Sequence, residues 1–192
     1  MPMVRNLKFV TGNPHKAREA MSILRELGVN VEVRILKVVE VQADDIVEIA
    51  SFRAHRAYEV IREPLIVEDA GLFIEELKGF PGPYSSYVFK TIGNKGILKL
   101  MKDVSNRRAV FRSAVALHDG DRVTVFIGET WGVIAREARG DSWGFDPIFE
   151  PDEGGGLTYG EMTSDVKNRI SHRRRALEKL ASYILRTSSL NI

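Results

Sequence analysis

The chain has 192 residues, 44% of them hydrophobic and 28% charged, which is enough to bury a core in what is most simply one domain and too apolar for a disordered chain. A net charge of +2 is too small to imply a general appetite for nucleic acid or anionic membrane, and the absence of cysteine excludes disulfides, thiolate catalysis and any metal centre that needs sulfur. No apolar run approaches the roughly 18 residues of a membrane span, and the N-terminus passes into a strand pattern without an export signal, so a cytoplasmic protein is expected.

In chain order, Leu7 to Thr11 reads as a first strand. Asn13 can cap the helix that follows and Pro14 can fill its first turn. Ala17, Ala20, Met21, Leu24 and Leu27 recur at helical spacing up to Gly28. Val31 to Val39 predicts a second strand that ends at Glu40. Asp44 or Asp45 can cap a second helix reaching about Arg62, with Pro64 as its stop. Leu65 to Val67 is a buried strand that runs into Glu68, Asp69, Ala70 and Gly71. Beyond the turn-rich Gly79 to Pro83, short helices are expected at Tyr84 to Ile92 and Lys95 to Met101. Ala109 to Leu117 and Val123 to Ala135 flank an Asp-Gly turn at Asp119 and Gly120, a strong hairpin signal. A last helix starts near Ser171 and ends near Arg186. Early alternation of strand and helix followed by a hairpin predicts an α/β fold with a mixed sheet.

Several short phrases carry chemistry. Thr11 to Lys16, TGNPHK, puts a hydroxyl, an amide and a lysine where a strand meets a helix N-terminus, a setting that suits phosphate oxygens. It lacks the spacing of a P-loop. Glu40, Glu68 and Asp69 are carboxylates expected at the ends of two strands. Mg²⁺ takes one or two carboxylates and completes its shell with water and phosphate, so the set fits a phosphate-handling site. The histidines His15, His55, His118 and His172 show no ligand spacing and are expected at the surface or as caps. Trp143 to Pro147, WGFDP, could stack a nucleobase on Phe145 while Asp146 accepts from the base edge. It could equally be an aromatic corner of the core. Lys167 to Arg175 is the most basic stretch; Arg174, Arg175 and Lys179 suit a solvated helix face, whereas Arg173 in the first turn of a helix could donate to a purine O6.

Taken in order, TGNPHK at 11 to 16, Glu40, VEDAGL at 67 to 72, FPGPYSSY at 80 to 87, WGFDP at 143 to 147, and Lys167 with SHR at 171 to 173 resemble the inosine/xanthosine triphosphate pyrophosphatase family over nearly the whole chain. The resemblance implies a two-lobed α/β homodimer, a mixed central sheet flanked by helices with an active-site cleft between the lobes, and Mg²⁺-dependent hydrolysis of noncanonical purine nucleoside triphosphates to the monophosphate and pyrophosphate. It further implies that Thr11, Gly12, Asn13 and Lys16 hold the triphosphate. Glu40 and Asp69 would bind metal, with Asp69 also the general base and Glu68 assisting. Trp143, Gly144, Phe145, Asp146, Lys167, His172 and Arg173 would take the nucleoside. Ala70 stands where many relatives carry serine or threonine, so any substrate contact there falls to its backbone N–H. The substrate would be a free nucleotide, with neither nucleic acid nor membrane as partner. A nucleic-acid binder using the basic helix, and a phosphohydrolase of ordinary nucleotides, are the rival readings. Product analysis separates them.

Overall fold

The computed structural model describes residues 7–39 and 41–189. Glu40, and with it one of the two expected metal ligands, lies outside the described residues. Among those residues are seven strands and six α-helices. The strands hydrogen-bond in the order β2-β1-β3-β5-β6-β7, with β4 on β3, giving a mixed α/β fold. No helix among the described residues is long and apolar enough to cross a membrane. The chain divides into two compact units. One holds the chain up to Asp69, Ser113–Gly128 and the chain from Arg173; the other holds Ala70–Arg112 and Glu129–His172.

In the first unit β1 (Leu7–Val10) pairs in parallel with β2 (Val31–Arg34) on one side and with the start of β3 (Leu65–Ile74) on the other. The second strand is shorter than expected. All four residues of β1 are used in register, Leu7 opposite Val31 through Val10 opposite Arg34, and the last bond runs from Thr11 N to Arg34 O. β1 then leaves for the cap of α1 (Pro14–Glu26), so residues 35–39 have no partner on that strand and are not strand. The Asn13 carboxamide accepts from His15 N and Lys16 N, a cap worth about 1 kcal/mol. α1 buries Ala20, Ile23 and Leu24. α6 (His172–Ser189) buries Ala176, Leu177, Leu180, Ala181 and Ile184 against the same core, which Leu7, Phe9, Ile66, Val115 and Leu117 complete. α2 (Ile46–Ile61), capped by Asp45, buries Ile46, Ile49, Ala50, Arg53, Ala54 and Ala57.

Of the two places expected for the histidines, surface or cap, His118 takes the second: it is buried and accepts a turn N–H. Its ring stacks on Tyr58 with centroids 3.9 Å apart and meets His55 edge-on at 5.2 Å. Burial and the neighbouring His55 push its imidazole below the ordinary value, in keeping with an Nδ1 that accepts the Gly120 N–H at 3.2 Å.

The second unit is built on the far end of β3, which pairs antiparallel with β4 (Pro81–Gly82). Here Gly71 is required by contact: a Cβ at that position would lie 2.3 Å from the Gly82 carbonyl oxygen. α3 (Ser85–Thr91) and α4 (Gly93–Leu100) follow. β5 (Arg108–His118) and β6 (Val123–Ile134) form the expected hairpin, and β7 (Phe149–Pro151) adds antiparallel to β6. α5 (Ser164–Ile170) is a separate short helix, capped by Thr163 and divided from α6 by the extended Ser171. The core of this unit gathers Leu72, Ile74, Val88, Ile97, Phe111, Ile134, Phe145, Phe149 and Tyr159.

Candidate functional site

Glu68 and Asp69 lie inside β3, not beyond its end. The strand has β1 beside Leu65 and Ile66, β4 beside Leu72 and Phe73, and β5 as a further hydrogen-bonded neighbour. Nearly all of the Glu68 carboxylate is out of solvent, and Lys16, Arg173 and Ser113 meet it. Lys16 Nζ lies 2.9 Å from Oε2, Arg173 NH2 lies 3.1 Å from Oε1, and the Ser113 hydroxyl donates to Oε1 at 2.8 Å. Asp69 is more open, with 19% of its side chain exposed, and it faces Arg53 NH1 at 3.6 Å and Lys16 Nζ at 3.9 Å. Lys16 and Arg53 also donate to the Glu68 carbonyl at 3.3 and 3.4 Å. Arg173, itself buried, is paired with Glu19 on α1 as well. Thus the first unit brings together Lys16, Glu68, Asp69 and Arg173 from three parts of the sequence reading.

The TGN turn is largely occupied with its own geometry. Thr11 is buried and its Oγ1 accepts the Asn13 N–H at 3.1 Å, while the Asn13 side chain is committed to the α1 cap. Gly12 is exposed, with open space where a Cβ would project. What this turn offers an anion is therefore backbone N–H at a helix start beside the Lys16 ammonium. Ala70, half-buried, follows directly in β3.

The second unit holds the other expected set. The Lys167 ammonium and the Asp146 carboxylate are each about 5% exposed and form a 2.6 Å ion pair, and the Ser142 hydroxyl donates to the same Asp146 oxygen at 2.7 Å. Lys167 Nζ lies 5.2 Å from the centroid of the half-buried Trp143 ring and 5.5 Å from that of Tyr159. Gly144 takes a positive φ of 67° and its carbonyl accepts from Asn94 Nδ2 at 3.1 Å. Phe145 turns inward: it is 4% exposed and meets Phe89 edge-on in the core. His172 is buried too, stacked on Phe111 at 4.7 Å. Of the basic stretch, Lys167 and Arg173 are buried, and only part of it is a solvated face, since Arg174 pairs with Glu26 and Glu178 at 2.7 Å each.

Arg53, Glu19 and Ser113 were not legible as site residues. A signal existed for Arg53: it falls one turn after Ile49 and Ala50 on the apolar stripe of α2, where a charge needs a partner. Among the described residues no group of three or more acidic or histidine side chains is gathered closely enough to hold a metal ion. Of the two adjacent acids, the more open Asp69 is the one that could serve a hard ion such as Mg²⁺, which needs only one or two protein carboxylates and otherwise keeps water and phosphate.

Fold and site together define a mixed α/β protein whose partly buried acids are interleaved with cations. The dITP/XTP pyrophosphatase of Korarchaeum cryptofilum is 49% identical over 183 residues, 94% of this chain and 97% of that protein. That of Hyperthermus butylicus is 47% identical over 181 residues, 94% and 95% of the two chains. Among solved structures, a HAM1 protein from Coxiella burnetii matches with a TM-score of 0.83 at 28% identity, over 94% of this chain and 98% of its own. A family model described as the Ham1 family matches residues 7–183, and the chain belongs to that family.

Proposed function

We propose that the protein hydrolyses noncanonical purine nucleoside triphosphates, such as dITP and XTP, to the monophosphate and pyrophosphate, and so removes deaminated purines from the nucleotide pool. The single observation that supports this most is Lys16, from the helix start after TGN, within 2.9 Å of Glu68 and 3.9 Å of Asp69. That combination pairs an anion-receiving helix N-terminus with an accessible carboxylate. The names of the relatives give the same reaction class and substrates.

In this mechanism the turn from Thr11 to Asn13, Lys16 and Arg53 receive the phosphate chain, drawing off negative charge as the transition state forms. Asp69 accepts a proton from a water molecule whose oxygen bonds to the α-phosphorus, the bridging P–O bond to the β-phosphate breaks, and pyrophosphate leaves. Glu68 holds Lys16 in place. Asp69, together with Glu40, would hold Mg²⁺, which when bound supplies further charge neutralisation at the phosphates. On the nucleoside side Trp143 offers a ring for the base, and Asp146, Lys167, His172 and Arg173 offer polar groups that prefer a 6-oxo purine to adenine, because an amino group facing a buried donor leaves both unpaired. Phe145 acts from the core, by fixing the loop. The enzyme is a cytoplasmic homodimer acting on free nucleotide, apart from nucleic acid and membrane.

A panel of dITP, XTP, dGTP and dATP with Mg²⁺ tests the reading. Pyrophosphate is expected from dITP and XTP at least about a hundredfold faster than from dATP, the size of discrimination a mismatched buried polar group produces. Stepwise release of orthophosphate, or salt-sensitive binding of oligonucleotides without turnover, contradicts it.

A further inference from the structure

Ser113 is the one hydroxyl in the stretch Ala109 to Leu117, otherwise apolar but for Arg112. It is fully buried in the middle of β5. A hydroxyl placed there costs stability unless it is hydrogen-bonded, and its bond goes to Glu68 Oε1 at 2.8 Å. Lys16 and Arg173 meet the same carboxylate as cations, and Ser113 meets it with an uncharged hydroxyl. Two cations pull the carboxylate from different sides. Lys16 at Oε2 sits on the partly exposed side of the cluster beside Asp69, while Arg173 at Oε1 is 1% exposed and anchored to Glu19. A directional O–H bond from a strand adds to the Arg173 hydrogen bond on the same oxygen and opposes the pull of the Lys16 ammonium, a point charge with no preferred orientation.

We propose that Ser113 is a positioning residue for hydrolysis. By fixing the orientation of the Glu68 carboxylate it fixes the Lys16 ammonium relative to Asp69, and so the place where the phosphate charge is received. The proposal rests on the functional reading above. Loss of the hydroxyl leaves the charges present but the carboxylate free to swing towards either cation. The consequence falls on the transition state more than on binding, since a small displacement of a charged group costs most where geometry is strictest.

The test compares Ser113→Val with Ser113→Thr, two side chains of nearly one shape that differ by the hydroxyl. Valine is expected to lower kcat for dITP about tenfold, as loss of a hydrogen bond to a charged group does, with KM changed by less than about twofold. Threonine restores most of that loss. Equal rates in the two variants, or equal changes in kcat and KM, overturn the proposal. Thermal denaturation of both variants checks that they fold; should valine not fold, Ser113→Ala takes its place in the comparison. Crystal structures of the variants read the same point without turnover: a Glu68 carboxylate displaced in the valine or alanine protein and kept in the threonine protein is expected, and an undisplaced one overturns the role of Ser113. If the parent chain hydrolyses no purine triphosphate, the functional reading fails, and the crystal structures still decide whether Ser113 orients Glu68.

Discussion

Replacing Asp69 with asparagine is expected to lower kcat for dITP by about a thousandfold or more, within the range a general base supplies, while the protein stays folded. The side chain is 19% exposed and its contacts with Arg53 and Lys16, at 3.6 and 3.9 Å, are longer than hydrogen bonds. Asparagine has the same shape and loses only the charge and the basicity. Stability should therefore change little beside the loss in rate, since volume and polarity are kept. The variant should still bind dITP, because Lys16 and Arg53 remain to receive the phosphates. Rapid-quench measurement of product beside a denaturant titration checks both halves. Near-normal turnover would remove Asp69 from the role of base.

The second large effect is expected at Lys167. Substitution by methionine removes the ammonium 2.6 Å from Asp146 and leaves a buried carboxylate without that cation, a change that typically costs about 3–5 kcal/mol. The Ser142 hydroxyl still donates to the acid, which offsets only a part of the loss. Base selectivity should fall as well, because the ammonium and the Trp143 ring it lies against belong to the proposed nucleoside site. Adding Asp146→Leu to Lys167→Met takes away the stranded charge. Much of the stability should return in urea denaturation, and selectivity should not. A single variant that costs less than about 1 kcal/mol would mean that the pair with Lys167 does little to hold Asp146 in the fold.

What could be seen in the sequence was mostly local. Asn13 and Pro14 announce the start of α1 because capping chemistry involves only neighbouring residues, and the Asp-Gly turn announces the hairpin for the same reason. β2 could not be bounded that way: it ends at Arg34 because β1 runs out of residues to pair with, a fact about a distant strand. β3 was cut short at its acids for a related reason, since its pairing with the distant strands β4 and β5 carries it past Glu68 and Asp69 to Ile74. Polar residues were the hardest to place. Lys167 and Arg173 sit in the most basic stretch of the chain, beside the Arg174 and Arg175 that suit a solvated face, and their burial becomes visible only with Asp146, Glu68 and Glu19 in position. Arg53 and Ser113 carry no motif at all; each is a polar residue in an apolar pattern, and its partner is supplied from another element.

Hydrolysis of dITP in water enriched in heavy oxygen, with both products read by mass spectrometry, tests the central claim most directly. Attack on the α-phosphorus puts the label in the nucleoside monophosphate and leaves pyrophosphate unlabelled, and that is the outcome the assembly of Asp69, Lys16 and Arg53 predicts. Label in pyrophosphate, or orthophosphate as the released product, would contradict it.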